Sequence, residues 1–244
     1  MGVALNHNNE HTLDMLRKKI RGIESAGQGP RAADLQVSSP APVPPWMEDV
    51  LDLGGLPRGA VTQVSNCPAA LVSMLAALTA HGGCAAVVNH PNLAVAAVEA
   101  AGGDIERLVL VPDADPHAAA VLATLVEGMD MVMYKPPLGE VGVSPTFARP
   151  VEARLNKSEC ALVVCGGQWP GARVHIDMHV SGIVGLGRGS GRVRAVEVAG
   201  RAWGKAQPPR RFHAHVGARW NDPAGDELAA PEGMRAEQQE RIAR

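Results

Sequence analysis

Between Gly59 and Cys165 the chain alternates short, unbroken apolar runs with longer stretches of helical spacing, and this rhythm restricts the fold most. Residues 60–65, 84–88, 108–111, 129–134 and 160–165 read as strands. They lack polar alternation, so each is expected to be buried on both faces, as in a parallel sheet covered by helices. Residues 69–80 read as a helix stopped by Gly82 and Gly83. Residues 93–101 read as a second. Asp115 is placed to cap a third, which Pro116 opens and which runs to Glu127. Residues 147–156 supply a fourth. Past Gly171 the rhythm changes: 173–180, 182–186 and 192–198 alternate like strands joined by short turns. The expected class is α/β, a mainly parallel sheet flanked by helices with an antiparallel C-terminal extension.

A hydrophobic content of 46% supports a packed core, and with 3% aromatics that core must be built from Ala, Val and Leu. The net charge of -2 excludes a global electrostatic pull toward nucleic acid. Cys67, Cys84, Cys160 and Cys165 form no C-x-x-C pair, which reads as reduced thiols in the cytosol. No apolar run approaches the ~20 residues that span a bilayer, so no membrane role is expected. Residues 1–10 are polar and lack the apolar region of a signal peptide.

Four regions are expected. Residues 1–27 hold an amphipathic helix capped by Thr12, with Leu13, Leu16, Ile20 and Ile23 on one face and basic residues around the rest. That helix either binds a partner or packs on the core through its leucines. Residues 28–45 carry Pro30, Pro40, Pro42, Pro44 and Pro45 and read as a linker. Residues 46–216 form the core. Residues 217–244 are a polar tail.

In an open parallel sheet, ligands bind at the carboxyl ends of the strands. A nucleoside triphosphatase needs a glycine-rich loop ending in Lys-Ser/Thr after its first strand, where backbone N–H groups wrap phosphate. It needs an acidic residue for magnesium after a later strand, and a carboxylate to activate water. Here the first turn reads Ser65-Asn66-Cys67-Pro68-Ala69-Ala70-Leu71, without glycine, lysine or threonine, and Pro68 removes a donor. The strand 129–134 ends in Lys135, and Asn89-His90-Pro91-Asn92 offers no carboxylate. Asn66, Cys67, Pro68, Ala69 and Lys135 thus mark a degenerate phosphate site. No catalytic residue, cofactor or metal is expected. Lys135 either pairs with a carboxylate there or reaches solvent.

Gly54-Gly55-Leu56-Pro57-Arg58-Gly59, Gly103-Asp104-Ile105-Glu106-Arg107-Leu108, Val111-Pro112-Asp113 and Glu127-Gly128-Met129-Asp130 are collinear over about Leu53 to Val198 with the RecA recombinase core, which they resemble. The resemblance implies a RecA-like fold without a Walker A motif. It puts that family's catalytic glutamate near Pro91 and its magnesium aspartate at Lys135. With Leu51-Asp52-Leu53 before the first stretch, and with Gly166-Gly167-Gln168-Trp169-Pro170-Gly171, the chain resembles the ImuA family, particularly its ImuA-prime type. That resemblance implies a non-catalytic accessory of SOS-induced mutagenic translesion synthesis. Its implied partners are ImuB, an inactive Y-family polymerase relative, and an error-prone C-family polymerase. Its implied place is the cytoplasm, at the nucleoid under DNA damage. The same resemblance touches SulA, the cell-division inhibitor, so a division or recombination regulator is the alternative.

The loops that in RecA bind single-stranded DNA fall at about 136–149 and 166–173. The first has Arg149; the second has Trp169 and Arg173, and Trp169 either stacks on a base or packs the loop. Arg188, Arg192, Arg194, Arg201, Lys205, Arg210 and Arg211 form a later basic cluster, read either as a non-sequence-specific contact to DNA phosphates or as a solvated strand face. Residues 222–240 are mainly acidic and either mask it or meet a basic partner. Residues 185–191, rich in glycine, read as a hairpin turn. His175 and His179 stand ~13 Å apart on a strand, too far for one ion. His213 and His215 share a face without a third ligand, and Asp113 and Asp115 are loop and cap residues.

Overall fold

A computed structural model describes residues 39–137, 142–187 and 190–217, with the side chains of 186, 187 and 190–192 left out. The leading helix with Leu13, Leu16, Ile20 and Ile23, most of the linker, and the tail beyond Gly217 lie outside the described residues.

Among the described residues the strands are β1 (Ala60–Val64), β2 (Ala85–Val88), β3 (Leu108–Val111), β4 (Met131–Tyr134), β5 (Ala161–Cys165), β6 (Val174–Gly187), β7 (Ser190–Gly204) and β8 (Arg210–Gly217). They form one sheet in the order β3-β2-β4-β5-β1-β6-β7-β8. Pairings from β3 through β6 are parallel; β6–β7 and β7–β8 are antiparallel. The protein is therefore an α/β fold with a mostly parallel sheet and an antiparallel C-terminal extension.

Helices α1 (Pro45–Glu48), α2 (Pro68–Ala80), α3 (Ala96–Ala100), α4 (Ala118–Leu125) and α5 (Pro145–Leu155) flank the sheet. On one face α2, Met47 of α1 and Val98 of α3 share a core with Val64, Val87, Ile176, Val198 and Phe212. On the other, α4 and α5 cover Val61, Val88, Val132 and Leu162. Strands β2, β4 and β5 are buried throughout, which accounts for their unbroken apolar runs. Helix α2 is buried nearly all round; its Ser73 and Thr79 hydroxyls donate to the carbonyls of Ala70 and Leu75, so no polar atom there is stranded.

Several expectations need correction. Edge strand β3 is not covered on both faces: Leu110 is 51% exposed. The core begins at Pro40, not Trp46, because Ala41 bridges to Leu56 and is fully buried. Gly55 permits that bridge, since a Cβ there would lie 2.6 Å from the Ala41 carbonyl oxygen. Helix α3 is shorter than 93–101. Helix α4 starts at Ala118 because His117 closes a turn onto Ala114; His117, not Asp115, precedes it. Segments 173–180 and 182–186 are one strand with a bulge at Ser181. Strand β7 runs well beyond 192–198, and β8 was not anticipated. The expected turn at 185–191 is present as a hairpin, with Gly187 opposite Ser190.

Arg58 and Asp130, from two of the RecA-like stretches, meet in an ion pair of 3.1 Å at the amino ends of the strands. Asp130 also accepts from the Cys84 amide, and Arg58 donates to the Glu159 carbonyl. These motif residues clamp the sheet at the end opposite the candidate site.

Candidate functional site

The turn from β1 into α2 is tied on both sides. Ser65 Oγ donates to Asp177 Oδ1 of β6 at 2.9 Å and accepts from the Met178 amide at 3.1 Å. The Cys67 amide donates to the Ser65 carbonyl at 2.8 Å, which tightens the turn and turns the Cys67 side chain into the core. Pro68 then opens α2, and no side chain caps it. Asn66 Oδ1 accepts a hydrogen bond from His90 Nε2 at 3.0 Å, joining the ends of β1 and β2. Gly166, after β5, comes so close that a Cβ on it would lie 2.9 Å from Asn66 Cβ. A Cβ on Gly167 would lie 2.5 Å from Pro136 Cγ. A phosphate loop needs room and backbone donors at this point. Here side-chain bridges and close backbone approach hold the turn against its neighbours.

His90 is 6% exposed, and its Nδ1 has no hydrogen-bond partner. Because Asn66 Oδ1 can only accept, Nε2 carries the proton and Nδ1 is the bare nitrogen. Burial, then the nearby Lys135 charge, hold the imidazole below its usual value. The Lys135 charge is therefore felt at His90. Among the described residues Lys135 forms no ion pair, so of the two expected arrangements the one with a carboxylate partner is not seen there. Burial drives the thiol of Cys165 well up and that of Cys160 to about 12, so neither is a nucleophile.

Trp169 does not stack on solvent-borne bases. It is 3% exposed, its Nε1–H donates to Glu152 Oε1 at 2.7 Å, and Phe147 meets it edge-on at 6.1 Å. Tyr134 stacks on Phe147, so a half-buried ring links two buried ones in a chain of three. Arg149 lies within α5, and Arg173 is exposed just before β6.

The later cations do not make one stripe, because strand residues alternate between faces. Arg210 and Arg211 point opposite ways. Arg210 pairs with Asp52 at 2.6 Å on the face that carries α1. Arg211 stands opposite Arg201 on the other face, the one without helices beyond β1. Arg194 is exposed in the stretch of β7 left unpaired by a register shift against β6, and Lys205 lies in the turn after β7. Arg188 and the Arg192 side chain fall outside the described residues.

On the helix-free face of β6–β8, Trp203 and its stacking on His175 were not foreseen from the sequence, although Arg201 and His175 were singled out there for other reasons. Trp203 stacks on His175 at 5.3 Å with 11° between planes, and the Arg201 guanidinium lies 4.7 Å from the Trp203 centroid. Arg201 also sits 3.8 Å from Asp177. The stack walls an open cleft of about 470 Å³ at the carboxyl ends of β1 and β5 and the first residues of β6, floored by Gln63, Ser65, Asn66 and Gln168. His213 and His215 share this face, as expected, and His215 meets Glu197 at 3.4 Å. Asp113 and Asp115 lie in the turn after β3, Asp113 accepting from the Asp115 amide. Among the described residues no group of three side chains is placed to hold a metal ion. Nor is any helix there long and apolar enough to cross a membrane.

Residues 49–171, about half of the chain, match the MT3502 N-terminal domain family. The uncharacterized protein Rv3395c of Mycobacterium tuberculosis is 33% identical over 177 residues, covering 72% of this chain and 79% of the relative. The matched span holds β1 through β5 and the closed β1–α2 turn, and on this coverage the chain belongs to the MT3502 N-terminal domain family.

Proposed function

We propose that the protein is a non-catalytic, ImuA-type accessory of damage-induced translesion synthesis, a RecA-like scaffold that assembles with ImuB and an error-prone C-family polymerase at the nucleoid. The observation that carries this reading is the closed phosphate position. Asn66 is bridged to His90, Pro68 takes the place of a donor, and Lys135 stands where a magnesium carboxylate is required. The α/β sheet is retained while each requirement for triphosphate chemistry is unmet, and such a frame is free to serve as a surface for partners. The collinear resemblance to ImuA supplies the identity of those partners.

The test is co-purification of the tagged full chain with ImuB and the C-family polymerase, alongside equilibrium dialysis against ATP. ImuB is expected in the complex and ATP is expected to stay free. Capture of the septation GTPase in place of ImuB would favour the SulA-like alternative. Micromolar ATP binding lost on altering residues 66–71 would overturn the non-catalytic reading.

A further inference from the structure

We propose that the outer edge of β8 is a docking site for an extended polypeptide segment of a partner protein, one in which acidic and apolar residues alternate, added to the sheet as a further strand. β8 closes the sheet, and among the described residues no segment pairs with its far side. The two sheet edges differ. β3 has four residues, whereas β8 has eight, paired with β7 without a register shift and free of proline and lysine. Folded proteins ordinarily shorten, kink or cover such an edge, because its unpaired backbone groups recruit another strand. The turn before β8 fixes which groups point outward. The Gly204 amide donates to the Gln207 carbonyl, on the β8 side, and the Lys205 amide donates to the Arg173 carbonyl, on the β6 side. Backbone groups alternate sides along a strand, so Ala202 and Gly200 bond their β8 partners, Arg210 and Phe212. Arg211, His213 and His215 therefore turn their N–H and C=O outward. Their side chains lie on the helix-free face and are exposed.

Charge selects the partner. Arg211 stands directly opposite Arg201, and like charges so placed are destabilising. Arg201 has Asp177 at 3.8 Å, whereas Arg211 forms no ion pair among the described residues. A carboxylate on the added strand beside Arg211 relieves that pair, and a second one, two residues on, meets His213. A second copy of this chain, pairing through the same strand, brings no carboxylate, because β8 contains none. On the other face the added strand runs past Phe212, Ala214 and Val216, all buried, and past the half-buried Trp46 that stacks on Phe212. Apolar side chains suit that face, and the two faces together demand the alternation.

Strand addition at β8 is independent of the accessory role proposed above. It is measured without ImuB, so its failure leaves assembly with ImuB standing. The probe is a fluorescein-labelled peptide of alternating glutamate and valine, as long as β8, and full-length protein is titrated into it while anisotropy is followed. Arg211→Glu should weaken binding about tenfold, since it removes one favourable cross-strand pair and adds a repulsive one. His213→Pro removes an outward donor, leaves the ladder to β7 intact, and should abolish binding. Arg149→Glu, the same change of charge on α5, should alter nothing. Arg211 is exposed, so that variant keeps the test valid if His213→Pro fails to fold. Amide exchange read by nuclear magnetic resonance should be fast at Arg211, His213 and His215 in the full chain and slow once the peptide is added. Wild-type affinity in folded Arg211→Glu or in folded His213→Pro would overturn the proposal. So would equal binding of a peptide of the same composition with its glutamates and valines in separate blocks, or protection of the three amides before any peptide is added.

Discussion

Truncating Trp169 separates a structural ring from a DNA-facing one. The ring is 3% exposed, its Nε1–H is bonded to Glu152 at 2.7 Å, and Phe147 abuts its edge. Its backbone N–H is held by Gln63 Oε1 at 3.1 Å, which fixes the loop after β5 onto β1. Trp169→Ala empties a cavity in the core cluster beside Phe147 and leaves Glu152 without its donor, so a loss of about 3–5 kcal/mol is expected. Trp169→Phe keeps much of the ring and forfeits the charge-assisted hydrogen bond, at about 1.5–3 kcal/mol. Domains of this kind are stable by about 5–15 kcal/mol, so the alanine variant should unfold at a much lower urea concentration while remaining folded in buffer. Urea titration followed by far-ultraviolet circular dichroism measures both variants. The reasoning is refuted if Trp169→Ala unfolds at the wild-type midpoint, or if it stays as stable as wild type and loses affinity for single-stranded DNA.

The His90 imidazole is held below its ordinary value near 6.5, so the folded state takes up its proton less readily than the unfolded chain. Stability should therefore be full above about pH 6.5 and fall as the pH drops below it, and His90→Asn should flatten that part of the urea-midpoint profile. Among the cysteines, Cys84 is partly exposed while Cys67, Cys160 and Cys165 are buried. One thiol should react with a disulfide reagent in native protein and four after unfolding, and fast labelling of Cys165 would contradict its burial. Arg58→Ala removes the pair to Asp130 and a bond to the Glu159 carbonyl, which should cost about 1–3 kcal/mol by thermal unfolding.

How far a feature was legible depends on the range of the contacts that make it. The apolar runs of β1, β2, β4 and β5 declare themselves because each strand is buried on both faces, a property the residues carry alone. The start of α4 departs from the local signal because Asp115-Pro116, a good opening pair, sits in a turn closed by Ala114 and His117. Likewise Pro40–Pro45 looks like a linker by composition, yet Ala41 bridges to Leu56 and both Ala41 and Val43 are buried in the core.

The candidate site divides along the same line. The absence of a phosphate loop from the first turn is legible in the residues alone, because a loop of that kind requires particular residues in particular order, and Asn66, Cys67 and Pro68 are not among them. What occupies the position instead, His90 from one strand end against Asn66 from another, is a contact over 24 residues that arises when the sheet brings the two strand ends together. The ribbon face shows it most sharply. A regular hairpin turning at 188–189 would set His175 opposite Ala202, on the buried side. Irregularities between Val184 and Leu186 and between Val180 and Gly182 shift the register by one, so His175 meets Trp203 in the open. A slip of one residue exchanges the faces of a strand, and no local pattern in the chain carries it.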